Sequence, residues 1–117
     1  AVTKVIPELH GNLDGIAIRV PTPDGSITDF VCEVEKETTA EEVNKLFKDV
    51  SNHHLKNIVE YTEEPIVLQD IVNNPHSAIF DASLTKTNGN LIKVLAWYDN
   101  EWGYSCRLVD LIRFVTK

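Results

Sequence analysis

The side chains in this sequence best suited to chemistry are two cysteines, four histidines, one arginine set in an apolar alternation, and a dense aromatic and amide cluster from Trp97 to Ser105. Cys32 alternates with Phe30 and Val34, the setting of a small core side chain. Cys106 falls near the start of a C-terminal helical pattern, where a helix N-terminus can lower a thiol pKa, but no base accompanies it in sequence. The two cysteines lie far apart in neither a metal nor a redox spacing, so a reduced chain in the cytoplasm is expected. His53 and His54 sit where a helical pattern ends, and an imidazole there meets the last carbonyls. His10, beside Gly11, reads as a solvated loop residue, and His76, after Asn73-Asn74-Pro75, as a loop residue open to a site role. Glu33 and Glu35 share one strand face, a solvated acidic edge with nothing to drive their pKa values apart.

Arg19 differs in kind. It is a cation within the alternation Ile16, Ile18, Val20 and precedes Pro21-Thr22-Pro23, so its planar fork could hold a carboxylate or phosphate, or it could be a surface or interface arginine. The strand pattern alone does not separate the two. The Trp97-to-Ser105 cluster spans the passage from an apolar strand to the last helix, a corner where an amide and aromatic faces can bind a flat polar ring. From the residues alone, core aromatics with Asn100 capping the helix are the favoured alternative. The five glycines form neither G-x-G-x-x-G nor a Walker A loop, so no dinucleotide phosphate cradle is present.

The elements that must position these groups follow from pattern. With 117 residues one domain is expected, and the formal charge of −7 argues against nucleic acid or an anionic membrane as partner. No apolar run is long enough to span a bilayer, and the amino end shows neither a charged leader nor a long apolar stretch, so no secretory signal is expected. The absence of methionine suggests a chain that begins downstream of its gene's start. Period-two alternation predicts a strand over 15–20 and a second over 28–35 paired to it across the proline-rich turn. Thr39 and Glu42 form a capping box ahead of the stripe Val43, Leu46, Phe47, Val50, which predicts a helix. Further strands are predicted at 58–62 and 66–72, and Asn88-Gly89 predicts an antiparallel hairpin. Its first arm carries Ala78, Phe80, Ala82 and Leu84 on one face; its second, 91–98, is apolar enough to be covered on both sides. A helix over about 101–115 ends the chain with more apolar surface than one sheet face would cover.

Several of these strings together resemble phosphorylating glyceraldehyde-3-phosphate dehydrogenase. They are Lys4-Val5-Ile6-Pro7-Glu8-Leu9, Arg19-Val20-Pro21-Thr22-Pro23, Tyr61-Thr62-Glu63, Phe80-Asp81-Ala82, Val109-Asp110-Leu111 and, most specific, Trp97-Tyr98-Asp99-Asn100-Glu101-Trp102-Gly103-Tyr104-Ser105. The resemblance covers nearly the whole chain in order and matches the C-terminal part of that family's catalytic domain, so residues 1–117 are expected to be that part, ending in its C-terminal helix. It implies an α+β fold, a mainly antiparallel sheet with covering helices, and a last helix that packs on a nucleotide-binding domain absent from this sequence. By the same resemblance Arg19 matches the arginine that binds substrate or inorganic phosphate, Asn100 the asparagine that hydrogen-bonds the nicotinamide carboxamide, and Tyr104 the tyrosine near the nicotinamide ring.

The family oxidises glyceraldehyde 3-phosphate to 1,3-bisphosphoglycerate with NAD or NADP, a step of glycolysis, through a cysteine thiolate and a histidine base. Neither cysteine here sits in a string like the family's nucleophile, so no catalytic residue is expected in this segment and it should be inactive alone. The resemblance implies as partners the triose phosphate, inorganic phosphate, the remaining part of the parent chain and other copies in a homotetramer. A similar class acting on erythrose 4-phosphate, and a stand-alone binding or assembly module, are the alternatives. Cys106 departs from the small polar residue many relatives carry.

Overall fold

A computed structural model supplies the three-dimensional structure, which describes residues 2–116. A short helix α1 (Val2–Val5) and a 3-10 turn over Pro7–Leu9 lead into an extended stretch. There follow β1 (Ser26–Glu33), α2 (Ala40–Asn52), β2 (Val59–Thr62), α3 (Leu68–Ile71), β3 (Ala78–Asp81), a 3-10 turn over Ala82–Leu84, β4 (Lys86–Asn88), β5 (Leu91–Tyr98) and α4 (Trp102–Val115). The five strands form one sheet in the order β1-β5-β3-β2, with β4 also paired to β5. Pairing is antiparallel except between β2 and β3, whose connection passes through α3, the kind of crossover that a parallel pair requires. The fold is the expected α+β, mostly antiparallel sheet.

The longest apolar run takes the centre. β5 pairs along its whole length with β1, from Ser26↔Tyr98 to Glu33↔Leu91, and on its other edge with β3 and β4. One face carries Phe30, Cys32, Ile92, Val94 and Phe80, and α2 packs there through Val43 and Phe47. Phe47 stacks on Phe80 at 4.0 Å between centroids, and Tyr61 on Phe80 at 5.9 Å. α2 starts as its sequence dictates: Thr39 Oγ1 accepts from the Glu42 N–H (3.2 Å), while the Glu42 carboxylate accepts from the Thr39 N–H (2.9 Å). The opposite face carries Ile27 and Val31, both exposed, and a half-exposed Lys93–Asp29 pair at 2.8 Å that contributes at most about 1 kcal/mol. β5 is therefore half-buried from Ile92 to Tyr98, covered less completely than its composition suggests.

Three sequence expectations are corrected. Residues 15–20 form no strand, and β1 pairs with β5 instead; Ile16, Ile18 and Val20 are 90%, 76% and 60% exposed. Alternation reports that a segment has a face to bury, not which strand receives it, and none of the described strands does. Residues 66–72 form α3 rather than a strand, because Asp70 turns back to accept from the Val67 N–H (2.8 Å), closing a helical turn that Pro65 cannot continue into the sheet. The hairpin exists, but its two loop residues are Gly89 and Asn90, and only Gly89 has positive φ (+62°). That is the requirement of a type II′ turn, with glycine first, not of the type I′ turn in which Asn88 would also be left-handed. The first arm is broken by the 3-10 turn, so Ala82 joins the core while Leu84 leaves it.

α4 exposes Leu111, Ile112, Phe114 and Val115 by 56–78%. The chain shows 9059 Å² to solvent, against about 6,400 Å² for a compact 13.2 kDa protein, and its radius of gyration of 15.2 Å exceeds the ~13 Å of a compact domain of this length. The excess of roughly 2,600 Å² is of the order that stable assemblies bury. In light scattering, this chain alone is expected to give a mass above its 13.2 kDa formula weight; a clean monomer at working concentration would contradict the surface argument.

Candidate functional site

Where β5 runs into α4 the sequence places two acids, an amide and four aromatics between Trp97 and Ser105, and the first acid, Asp99, organises them. Asp99 is 2% exposed. Its Oδ1 accepts from the backbone N–H groups of Glu101 (2.9 Å) and Trp102 (2.7 Å), and its Oδ2 from that of Asn73 (2.8 Å). Burial alone would raise this carboxyl's pKa, but the N–H groups of Trp102, Asn73 and Glu101, with a contact from the Asp24 side chain, outweigh it and hold the group below the usual carboxylate value. Asp99, not Asn100, satisfies the free N–H groups at the start of α4. The same carboxylate ties α4 to the 73–77 loop, and Gly103 completes that junction, since a Cβ there would lie 2.7 Å from the His76 carbonyl oxygen.

Freed from capping, Asn100 is exposed, and its side-chain Oδ1 accepts from the Ser26 hydroxyl at 3.1 Å. The contact follows from register: Ser26 opens β1 directly opposite Tyr98, the last residue of β5. Backbone bonds Gly103 N–H to Asp99 O and Ser105 N–H to Glu101 O, both 3.2 Å, show that the helical turn already runs through position 100. Asn100 and Tyr104 are thus one helical turn apart, on neighbouring surface, and Tyr104 is 65% exposed. The corner presents an outward amide beside an outward aromatic ring.

Arg19 lies seven positions before Ser26, in the extended stretch and not in mid-strand as its alternation implied; its side chain is exposed and makes no ion pair among the described residues. The connection from it to β1 is a tight turn: the Thr22 N–H donates to Val20 O (2.8 Å), and Gly25, at φ +86°, sits against Leu68 so closely that a Cβ would meet that side chain at 2.6 Å. The remaining candidates are accounted for elsewhere. The His76 ring is held by Glu60 (3.1 Å) and Asn74 (2.9 Å), His53 caps α2 through Asp49, and His10 and His54 are exposed. Both cysteines are free thiols of intermediate burial. Among the described residues no group of three or more His, Cys, Asp or Glu side chains could hold a metal ion, and no helix is long and apolar enough to cross a membrane.

The family described as "Glyceraldehyde 3-phosphate dehydrogenase, C-terminal domain" matches residues 1–100. This chain belongs to that family. Its curated relatives include glyceraldehyde-3-phosphate dehydrogenases of Mycobacterium avium (52% identical over all 117 residues) and Mycobacterium leprae (51%), each match covering 34% of the relative. Glyceraldehyde-3-phosphate dehydrogenase 2 of Streptomyces avermitilis is 52% identical over 116 residues, 98% of this chain and 35% of that protein. The chain spans about a third of the length of these relatives, and their likeness extends through α4, beyond the residues that the family description covers.

Two residues of this family member's corner escaped the sequence reading. Asp99 carried a signal, an acid immediately ahead of a helical start, but it was absorbed into the aromatic string. Ser26 carried none, because only the β1–β5 register brings it to Asn100. Because Asp99 is held below its ordinary value of 3.8, its contribution to stability is fully present above about pH 3.8 and is lost as pH falls through the folded-state value. Asp99→Ala is expected to cost at least about 2 kcal/mol near neutral pH and to flatten that acid limb, read as denaturant midpoints across pH.

Proposed function

We propose that this chain is the C-terminal part of the catalytic domain of a phosphorylating glyceraldehyde-3-phosphate dehydrogenase, working in the cytoplasm with NAD or NADP. What supports the reading is a likeness of about half of all residues along the whole chain, read together with an exposed amide held in place at the β5–α4 corner. Asn100 and Tyr104 fit the nicotinamide end of the dinucleotide: a planar carboxamide needs a hydrogen-bonding amide, and a flat ring needs an aromatic neighbour. Nothing in the five glycines suits the pyrophosphate, so its cradle belongs to other polypeptide.

In this reading Arg19 binds the phosphate of the triose substrate or inorganic phosphate through its guanidinium, which no carboxylate of the described chain neutralises in an ion pair. Asn100 orients the nicotinamide and Tyr104 borders it. When bound, the nicotinamide takes up the hydride that leaves the substrate. The nucleophilic cysteine, the base histidine and the nucleotide domain come from the preceding part of the parent chain, and this segment alone is inactive. That same polypeptide supplies the partner for residues 15–20 and the surface on which α4 packs, with further copies completing a homotetramer.

The test uses the complete polypeptide that carries this segment. Arg19→Ala is expected to raise the KM for glyceraldehyde 3-phosphate or for inorganic phosphate by about ten- to a hundredfold, as the loss of a charge-assisted hydrogen bond implies. Asn100→Ala is expected to raise the dinucleotide Kd by about two- to tenfold. Initial rates with triose and tetrose phosphates compared side by side should favour the triose; a preference for erythrose 4-phosphate, or an Arg19→Ala enzyme with both KM values intact, would overturn the reading.

A further inference from the structure

We infer that Ser26 is a positioning residue for the nicotinamide site, acting through Asn100; the inference rests on the reading of Asn100 given above. An asparagine amide has two chemically opposite ends, an acceptor oxygen and a donor NH₂, and on an exposed side chain either can face a ligand. The Ser26 hydroxyl donates to Asn100 Oδ1 at 3.1 Å, which engages the acceptor end and leaves the two Nδ2 hydrogens as the outward donors. A ligand carbonyl oxygen is then the matching group, and for a nicotinamide that is the oxygen of its carboxamide.

The contact is built from both directions. Ser26 is fixed by pairing with Tyr98 at the end of the sheet, and the turn before it is locked by the close approach of Gly25 to Leu68. Asn100 is fixed by its neighbour, because the three N–H groups on the Asp99 carboxylate leave the backbone at position 100 little freedom. With both backbones held, the bond to the Ser26 hydroxyl restrains the rotation of the amide about its last torsion, a broad and otherwise weakly determined angle. Without that hydroxyl, the exposed carboxamide would lose the bond that holds its rotation and would have to be ordered by the ligand itself.

Four variants of the complete polypeptide, Ser26→Ala, Ser26→Thr, Asn100→Ala and the Ser26→Ala/Asn100→Ala pair, test this by titration with NAD and with NADP, taking the dinucleotide that binds more tightly. Ser26→Ala is expected to raise its Kd about two- to tenfold, Ser26→Thr, which keeps a hydroxyl, to restore it, and the pair to bind no more weakly than Asn100→Ala alone. The KM for inorganic phosphate should stay unchanged in Ser26→Ala, whereas a distortion spreading along the chain to Arg19 would move it. If Asn100→Ala weakens binding and Ser26→Ala does not, or if the Ser26→Ala effect persists in full in the pair, the positioning role is wrong and the site reading stands. If Asn100→Ala itself leaves the Kd unchanged, both fall. Should Ser26→Ala fold poorly, the Ser26→Thr enzyme alone decides: a Kd raised as far as that of Asn100→Ala overturns the role.

Discussion

A single buried carboxylate, Asp99, joins three parts of the chain: the end of β5, the 73–77 loop and the start of α4. Its oxygens accept N–H groups from the 73–77 loop and from the first turn of α4, and its backbone ends β5. A buried charge is costly unless hydrogen-bonded, so the geometry around it tolerates little change: each N–H withdrawn would leave either an orphan donor or an undersatisfied anion. This strictness makes position 100 a suitable place for an outward amide. Asn100 takes no part in capping α4, and its backbone sits between the buried Asp99 and Glu101, whose N–H the Asp99 carboxylate binds.

Much of this arrangement was legible where the signal was local. The capping box at Thr39 and Glu42, the stripe of α2, the apolar run of β5 and the reach of α4 depend on neighbours within a few residues, and the structure follows them closely. Failures occurred where identity of partner mattered. The alternation at 15–20 and the apolar run at 66–72 both describe residues fit for a sheet, but local pattern does not name the partner: β1 pairs with β5 and not with 15–20, and Asp70 folds back on Val67. Gly89 shows the same limit on a smaller scale, since the dipeptide marks the hairpin correctly while the register decides which of its residues enter the loop.

The candidate site divides along the same line. Asn100 and Tyr104 could be named from the string that contains them, and their adjacency follows from one helical turn. Ser26 could not, because it stands 74 positions from Asn100 and only strand register joins them. Asp99 is hard to single out beside Asn100 because an acid and an amide compete for the same capping role. The structure resolves the competition by burial: the carboxylate, which can accept several N–H groups at once, goes inside, and the amide, which keeps a donor as well as an acceptor, goes outside.

The two proposed halves of the site therefore stand on different footings. Asn100 and Tyr104 are held by bonds made entirely within this chain, between β1, β5, α4 and the 73–77 loop. Arg19 is not: among the described residues the backbone from Ile16 to Arg19 makes no hydrogen bond to another element, and its apolar neighbours are among the most exposed in the protein. Fixing such a residue costs on the order of 1–2 kcal/mol of backbone entropy, and burying an isoleucine or valine beside it returns a similar or larger amount. Covering Ile16, Ile18 and Val20 is thus sufficient to hold Arg19 in one place, so that in the proposed enzyme the polypeptide that covers them would also complete the phosphate-binding half. The residues of the proposed nicotinamide half, by contrast, are held by hydrogen bonds within this chain.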